Sequence, residues 1–246
     1  GNLQIYASLA VWGCGEKLNR AEEIIRMHAR RMIQHRQYNA CKTILPQLQQ
    51  TLELMGSDED AYMTFFGINE YDLVREGIQG NFCNPRNVVI HTKRMYLATM
   101  LGDMESFKEE CEMGLRNYND KVGIRFMGKI MRVFLGGLMS FAFAQKRGLD
   151  EKKWTDIGEE SMKTMAKWAD GSSWNYSNKL FLLEAEYWFL LGDEILASAK
   201  YDESISAAKE HRFKNDEGLA AYRAAMFHLQ HNRKSEALSY LNHSRA

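Results

Sequence analysis

Along 246 residues, apolar side chains recur at three- and four-residue intervals in segment after segment, and only two prolines interrupt them. That interval marks one face of an α-helix. After Asn19, the positions Ala21, Ile24, Ile25, His28 and Met32 share such a face, and Leu45, Leu48, Leu52 and Met55 form the next. Pro46 sits near the front of that second helix, where its missing N–H costs least, or else kinks a longer one. Gly56-Ser57-Asp58 ends it and is expected to cap a third. From Gly67 to Gly80 the pattern loosens around a short helix at Tyr71 to Arg75, and Asn84-Pro85 then signals a new start.

The pattern continues through Val89, Lys93, Tyr96 and Met100 to a stop at Leu101-Gly102-Asp103. Met104 to Leu115 follows, with Glu105, Glu109 and Glu110 toward its positive end. Ile124 to Gln145 is apolar on nearly every side, so it is expected to lie between neighbours. Asp150 is expected to cap the helix that carries Ile157, Met162, Met165 and Trp168, which the Asp170-Gly171-Ser172-Ser173 turn ends. Beyond it come Leu180 to Leu191, Ile195 to Lys209, Asn215 to Leu229 and Lys234 to Ser244. No stretch alternates with period two between turn signals, so the fold class is all-α.

The last third repeats itself. Leu191-Gly192-Asp193 ends one helix as Leu101-Gly102-Asp103 ended another. Ala197, Tyr201, Ile205 and Ala208 then make a stripe of small and large residues, echoed by Ala220, Ala224 and Phe227 and begun again at Ala237, Tyr240 and Leu241. Alternating sizes let antiparallel helices approach and interlock, the basis of tetratricopeptide-like (TPR-like) stacking. The expected architecture is a TPR-like superhelical stack of ~10–12 antiparallel helices. Residues 1–246 read as one helical-repeat domain, less regular over 1–83 and clearer over 84–246. Leu191, Gly192, Asp193, Tyr201, Ala208, Phe213, Phe227 and Ala237 are its repeat signature.

Tyr201 to Ala208 with His211 and Phe213, followed by Glu217, Leu219-Ala220, Ala224, Phe227 and Tyr240-Leu241, resembles one family. It is the helical region of large multidomain sensor proteins. These join a kinase-like domain and a STAND-type ATPase to GAF and histidine-kinase or cyclase modules. Met165 to Ala169, Leu182 to Glu186 and Phe134 to Leu138 are similar to the same region, and Glu23 to Met55 more faintly. The resemblance implies a connector between an ATPase and a signal output. The phosphate-binding loop, histidine-kinase box and kinase loops that would carry such a protein's chemistry are not found in these residues.

Lys plus Arg equals Asp plus Glu, 32 each, so the basic excess typical of nucleic-acid and anionic-membrane binding is missing. Cys14, Cys41, Cys83 and Cys111 form no C-x-x-C pair, which argues against a zinc or redox motif and for a reducing, cytoplasmic setting. Leu3 to Val11 lacks a basic flank, so no signal peptide is expected. The longest apolar run, Val133 to Ala144, falls short of the ~20 residues that cross a bilayer. Because the chain opens with Gly1, it is expected to be a piece of a larger protein.

Several clusters invite a functional reading beside an ordinary one. Arg26, Arg30 and Arg31, with Arg36, His28 and His35, offer a surface for phosphate or an acidic partner, or a solvated face balanced by Glu22 and Glu23. Trp168, Trp174 and Tyr187, near Tyr176, Trp188 and Phe189, offer stacking platforms or ordinary helix–helix packing. His228 and His231 stand three apart as a metal pair would, yet lack a third ligand at matching spacing. Glu184 and Glu186 cannot flank one bond, since residues two apart on a helix diverge. No catalytic, cofactor or metal residue is assigned. The expectation is a non-catalytic protein–protein interaction and inter-domain coupling module whose partners are flanking domains or another subunit. The alternative is a small-molecule sensor with an apolar pocket lined by methionines such as Met127, Met131, Met139, Met162 and Met165.

Overall fold

A computed structural model describes residues 15–68, 85–117, 126–146 and 150–244, and each periodic segment among them is helical. In chain order the helices are α1 Leu18–Gln34, α2 Tyr38–Leu54, α3 Ala61–Phe66, α4 Pro85–Leu101, α5 Met104–Asn117, α6 Phe126–Ala144, α7 Glu151–Gly171, α8 Ser173–Leu191, α9 Glu194–Glu210, α10 Lys214–Gln230 and α11 Lys234–Ser244. No strand occurs among the described residues. The chain divides into two compact units, Gly1–Lys129 and Ile130–Ala246. The loose segment around Tyr71 to Arg75, the start signal at Asn84 and the Leu3 to Val11 run lie outside the described residues.

One backbone closure ends most of these helices. A residue in the left-handed region lets the next amide reach back to the carbonyl five residues earlier. Thus Asp103 N–H donates to Ala98 O at 2.9 Å across Gly102, and Asp193 N–H donates to Trp188 O at 3.0 Å across Gly192. The two Asp side chains then accept from Ser106 N at 3.1 Å and Leu196 N at 3.0 Å, opening α5 and α9. The Leu-Gly-Asp repeat is therefore a stop and a start in three residues.

A second version of the closure uses no glycine. Gln37, Phe213 and Arg233 donate to Met32 O at 2.7 Å, Ala208 O at 2.8 Å and His228 O at 2.9 Å. The residue between helices is Arg36, Arg212 or Asn232, each with positive φ, and each preceded by a histidine. These His-x-x turns form a repeat that the apolar stripes did not reveal. The connections are so short that packed neighbours form α-hairpins. Consecutive helices do pack: α1 on α2, α2 on α3 and α4 on α5, then each of α7 to α10 on the next.

In the first unit, Ile25, Ala29 and Met32 of α1 and Cys41, Ile44, Leu45 and Leu48 of α2 close around Tyr62 of α3 and Ile90 of α4. Burying each large aliphatic contributes roughly 1.5–3 kcal/mol. Pro46 lies well inside α2, and its missing N–H leaves the Lys42 carbonyl free; the Tyr62 hydroxyl donates to that oxygen at 3.3 Å. Helix α3 is capped by Asp60, which accepts from the amides of Tyr62 and Met63, rather than by the Gly56-Ser57-Asp58 cluster.

In the second unit, α6 meets α7 where Phe141 covers Gly158 so closely that a Cβ there would stand 2.5 Å from the ring. Phe143 stacks on Trp154 at 4.7 Å beside it. Asp150 stands at the start of α7, but its side chain makes no capping bond. Helix α8 begins at Ser173, well before Leu180, because Ser172 alone breaks the chain between α7 and α8.

The two closures respond oppositely to mutation. Gly192→Ala places a Cβ at φ +81° and is expected to destabilise the chain by about 1–2 kcal/mol. Arg212→Gly relieves the same strain at φ 61° and is expected to raise the melting temperature. Thermal unfolding of both variants checks the pair of signs.

Candidate functional site

The most elaborate side-chain arrangement lies in the second unit and is centred on Glu186 of α8. Its side chain is fully buried. One oxygen accepts from the Tyr201 hydroxyl of α9 at 2.8 Å and from Arg223 Nε of α10 at 2.7 Å. The other accepts from Arg223 Nη2 at 2.6 Å and from Gln145 Nε2, just past α6, at 3.2 Å. One carboxylate thus ties three successive helices and the end of a fourth. Burial works against the Arg223 charge, but the carboxylate outweighs it and keeps the guanidinium protonated. Burial, then the Glu186 charge, pushes the Tyr201 hydroxyl well above its usual range, so it remains a donor.

A parallel tie joins the other ends of α8 and α10. Asp216 accepts from Asn178 Nδ2 at 2.7 Å and from Lys179 Nζ at 2.5 Å. The Lys179 ammonium also lies 5.0 Å from the Phe213 ring centroid, and Ser204 of α9 donates to Asn178 O at 2.7 Å. Glu184, by contrast, turns to Lys200 of α9 at 3.0 Å. Glu184 and Glu186 therefore serve different faces, as helical geometry requires.

The repeat signature sits within this frame. Tyr201, Ala208, Phe227 and Ala237 are fully buried, Leu191 is exposed, and Phe213 stands immediately before α10. Within the second unit the three aromatic residues singled out above each pack on a different ring. Trp168 packs on Tyr176 at 5.8 Å, and Tyr187 on Phe141 at 5.7 Å. Trp174 is 58% exposed and stacks on His211 with ring centroids 4.0 Å apart. In the first unit, Arg26 pairs with Glu22 of its own helix and makes a two-pronged contact with Glu59, 2.9 Å at each nitrogen. Arg30 and Arg31 are exposed along the same helix.

Sequence reasoning missed the role of Glu186, because a carboxylate in an apolar helix gives no sign of which distant cation it meets. His228 and His231 meet different neighbours. His228 is 5% exposed and lies flat against Tyr240, with ring centroids 5.1 Å apart and neither ring nitrogen bonded. His231 Nδ1 lies 2.8 Å from Phe227 O. No group of three or more metal-ligating side chains is found among the described residues, and no described helix is long and apolar enough to cross a membrane.

Two outcomes follow from these environments. Glu186→Gln removes the counter-charge of a guanidinium whose side chain is only 17% exposed, and is expected to cost about 3–5 kcal/mol in denaturant unfolding. Burial, then Arg233, lowers the His228 pKa, while Glu236 and Asp202 oppose the shift and His231 adds to it. The unfolded chain therefore binds this proton more readily than the fold does. Stability is expected to be intact above pH ~6.5 and to decline as the pH falls below it. His228→Phe is expected to flatten that decline in urea melts taken between pH 7 and pH 5.

Comparisons with family models, curated proteins and solved structures found no match to this chain.

Proposed function

We propose that this chain is a non-catalytic protein-interaction and inter-domain coupling module with a TPR-like superhelical arrangement. In this reading it belongs to a larger cytoplasmic signalling protein of the ATPase and kinase kind it resembles. The carrying observation is the Glu186 tie. A single buried carboxylate binds α8 to α9 and α10, so a displacement of one helix is felt by the other two. Neighbour-to-neighbour packing makes such a stack stiff over short distances and deformable over long ones. A partner that prefers one curvature would shift the whole series toward it.

The surface reading rests on Trp174, an exposed ring braced by His211, and on Arg30 and Arg31. Aromatic and arginine side chains dominate binding energy at protein interfaces. The coupling test uses the parent protein, with nucleotide turnover and signal output measured together. Trp174→Ala is expected to weaken capture of the flanking domains about tenfold or more. Tyr201→Phe is expected to reduce coupling while helical content by circular dichroism stays unchanged. Folded variants with undiminished capture and coupling would refute the reading.

A further inference from the structure

The interior of the first unit contains polar groups that have no hydrogen-bond partner among the described residues. On α2, Gln50 is completely buried and neither atom of its amide is bonded; Gln47, one turn earlier, is 1% exposed and its Oε1 is likewise unpartnered. On α4, His91 is 3% exposed and its Nε2 has no partner. Helices α2 and α4 pack on one another, and Ile90, next to His91, enters the same apolar cluster as Ile44, Leu45 and Leu48 of α2.

His91 is not idle. Its Nδ1 lies 2.5 Å from a Glu110 carboxylate oxygen of α5, whose other oxygen is 3.4 Å from Arg94. A carboxylate on one ring nitrogen orients the imidazole and sets the tautomer. In the neutral tautomer that donates from Nδ1 to Glu110, Nε2 presents a lone pair. Together with Gln47 Oε1 and Gln50 Oε1 it makes three acceptors, against one donor group, the Gln50 amide nitrogen.

Leaving a buried polar atom unpaired costs about 1–3 kcal/mol, and interiors seldom leave several on two helices packed together. We infer that the α2–α4 contact is a binding site for a small neutral molecule, rich in donors and with one acceptor, held by Gln47, Gln50 and His91. Water and a primary amide share that chemistry. A free carboxylate or phosphate does not fit, because it would bring acceptors to acceptors. The site is polar, unlike the apolar, methionine-lined pocket that the sensor alternative would require, and it is independent of the coupling role of the second unit.

The test is the sign of a stability change in the full chain. Gln50→Met keeps the side-chain length and removes both polar atoms. If the amide is merely dry and unsatisfied, the variant melts at or above the wild-type temperature. If it holds a guest, the melting temperature falls by about 3 °C or more. Gln47→Met is a second variant, expected to move in the same direction. Two arms identify the guest. Acetamide that raises the melting temperature of the wild type and not of Gln50→Met marks an amide site. A long-lived buried water seen by oxygen-17 relaxation dispersion, and lost in Gln50→Met, marks a water site. Either result supports the inference. Equal or higher melting temperatures in both variants overturn it, and so does a fall accompanied by neither signal, which would mean that the glutamine acts by packing alone.

Discussion

When a helix ends with one residue in the left-handed region, the amide beyond it turns back to bond the last turn, and the chain leaves in nearly the opposite direction. Gly56, Gly102 and Gly192 take this conformation without steric cost, and Arg36, Arg212 and Asn232 take it against their preference. The next helix then begins two residues on, or five after Gly56, and has little choice but to lie along the one before. Hairpin packing of α1 with α2, α4 with α5, α8 with α9 and α10 with α11 follows from that reversal. Apolar stripes supply the energy of contact, but the closure decides which stripe meets which.

Polar ties add what apolar packing leaves open. Aliphatic and aromatic side chains permit sliding, whereas a carboxylate that accepts from fixed donors on several helices does not. Glu186 sits at such a crossing, with Tyr201 and Arg223 as its donors, and Asp216 repeats the device at the other end of the same helices. Buried ionic groups are a weak route to stability and a better route to a unique register. For a chain read as a coupling element, register is the property that matters.

The two kinds of cap also show how a repeat can hide. Leu101-Gly102-Asp103 and Leu191-Gly192-Asp193 are visible as words in the sequence. The turns at His35, His211 and His231 have only the histidine in common, being followed by Arg36, Arg212 and Asn232, yet their backbones close alike. Asp103 and Asp193 cap as their position implies, whereas Asp150 stands at a helix start and makes no side-chain bond there. A cap needs the side chain, the amide and the entering φ and ψ to agree, and only the first of these is written in the residue type.

Periodicity by itself determined that this chain is helical, where most helices run, and which faces carry Ala197, Tyr201, Ala208 and Phe227 inward, because those are consequences of local geometry and apolar spacing. The composition also carried the scarcity of helix breakers. Tertiary structure alone decided that Glu186 meets Arg223 across 37 residues and that Arg26 reaches Glu59 across 33. It also decided that Trp168, Trp174 and Tyr187 meet Tyr176, His211 and Phe141, and that Gln50 and His91 are buried inside the first unit. The reason is physical. A helix period says which side of a cylinder a residue occupies, but the partner of a charge or an amide depends on where a second cylinder comes to rest.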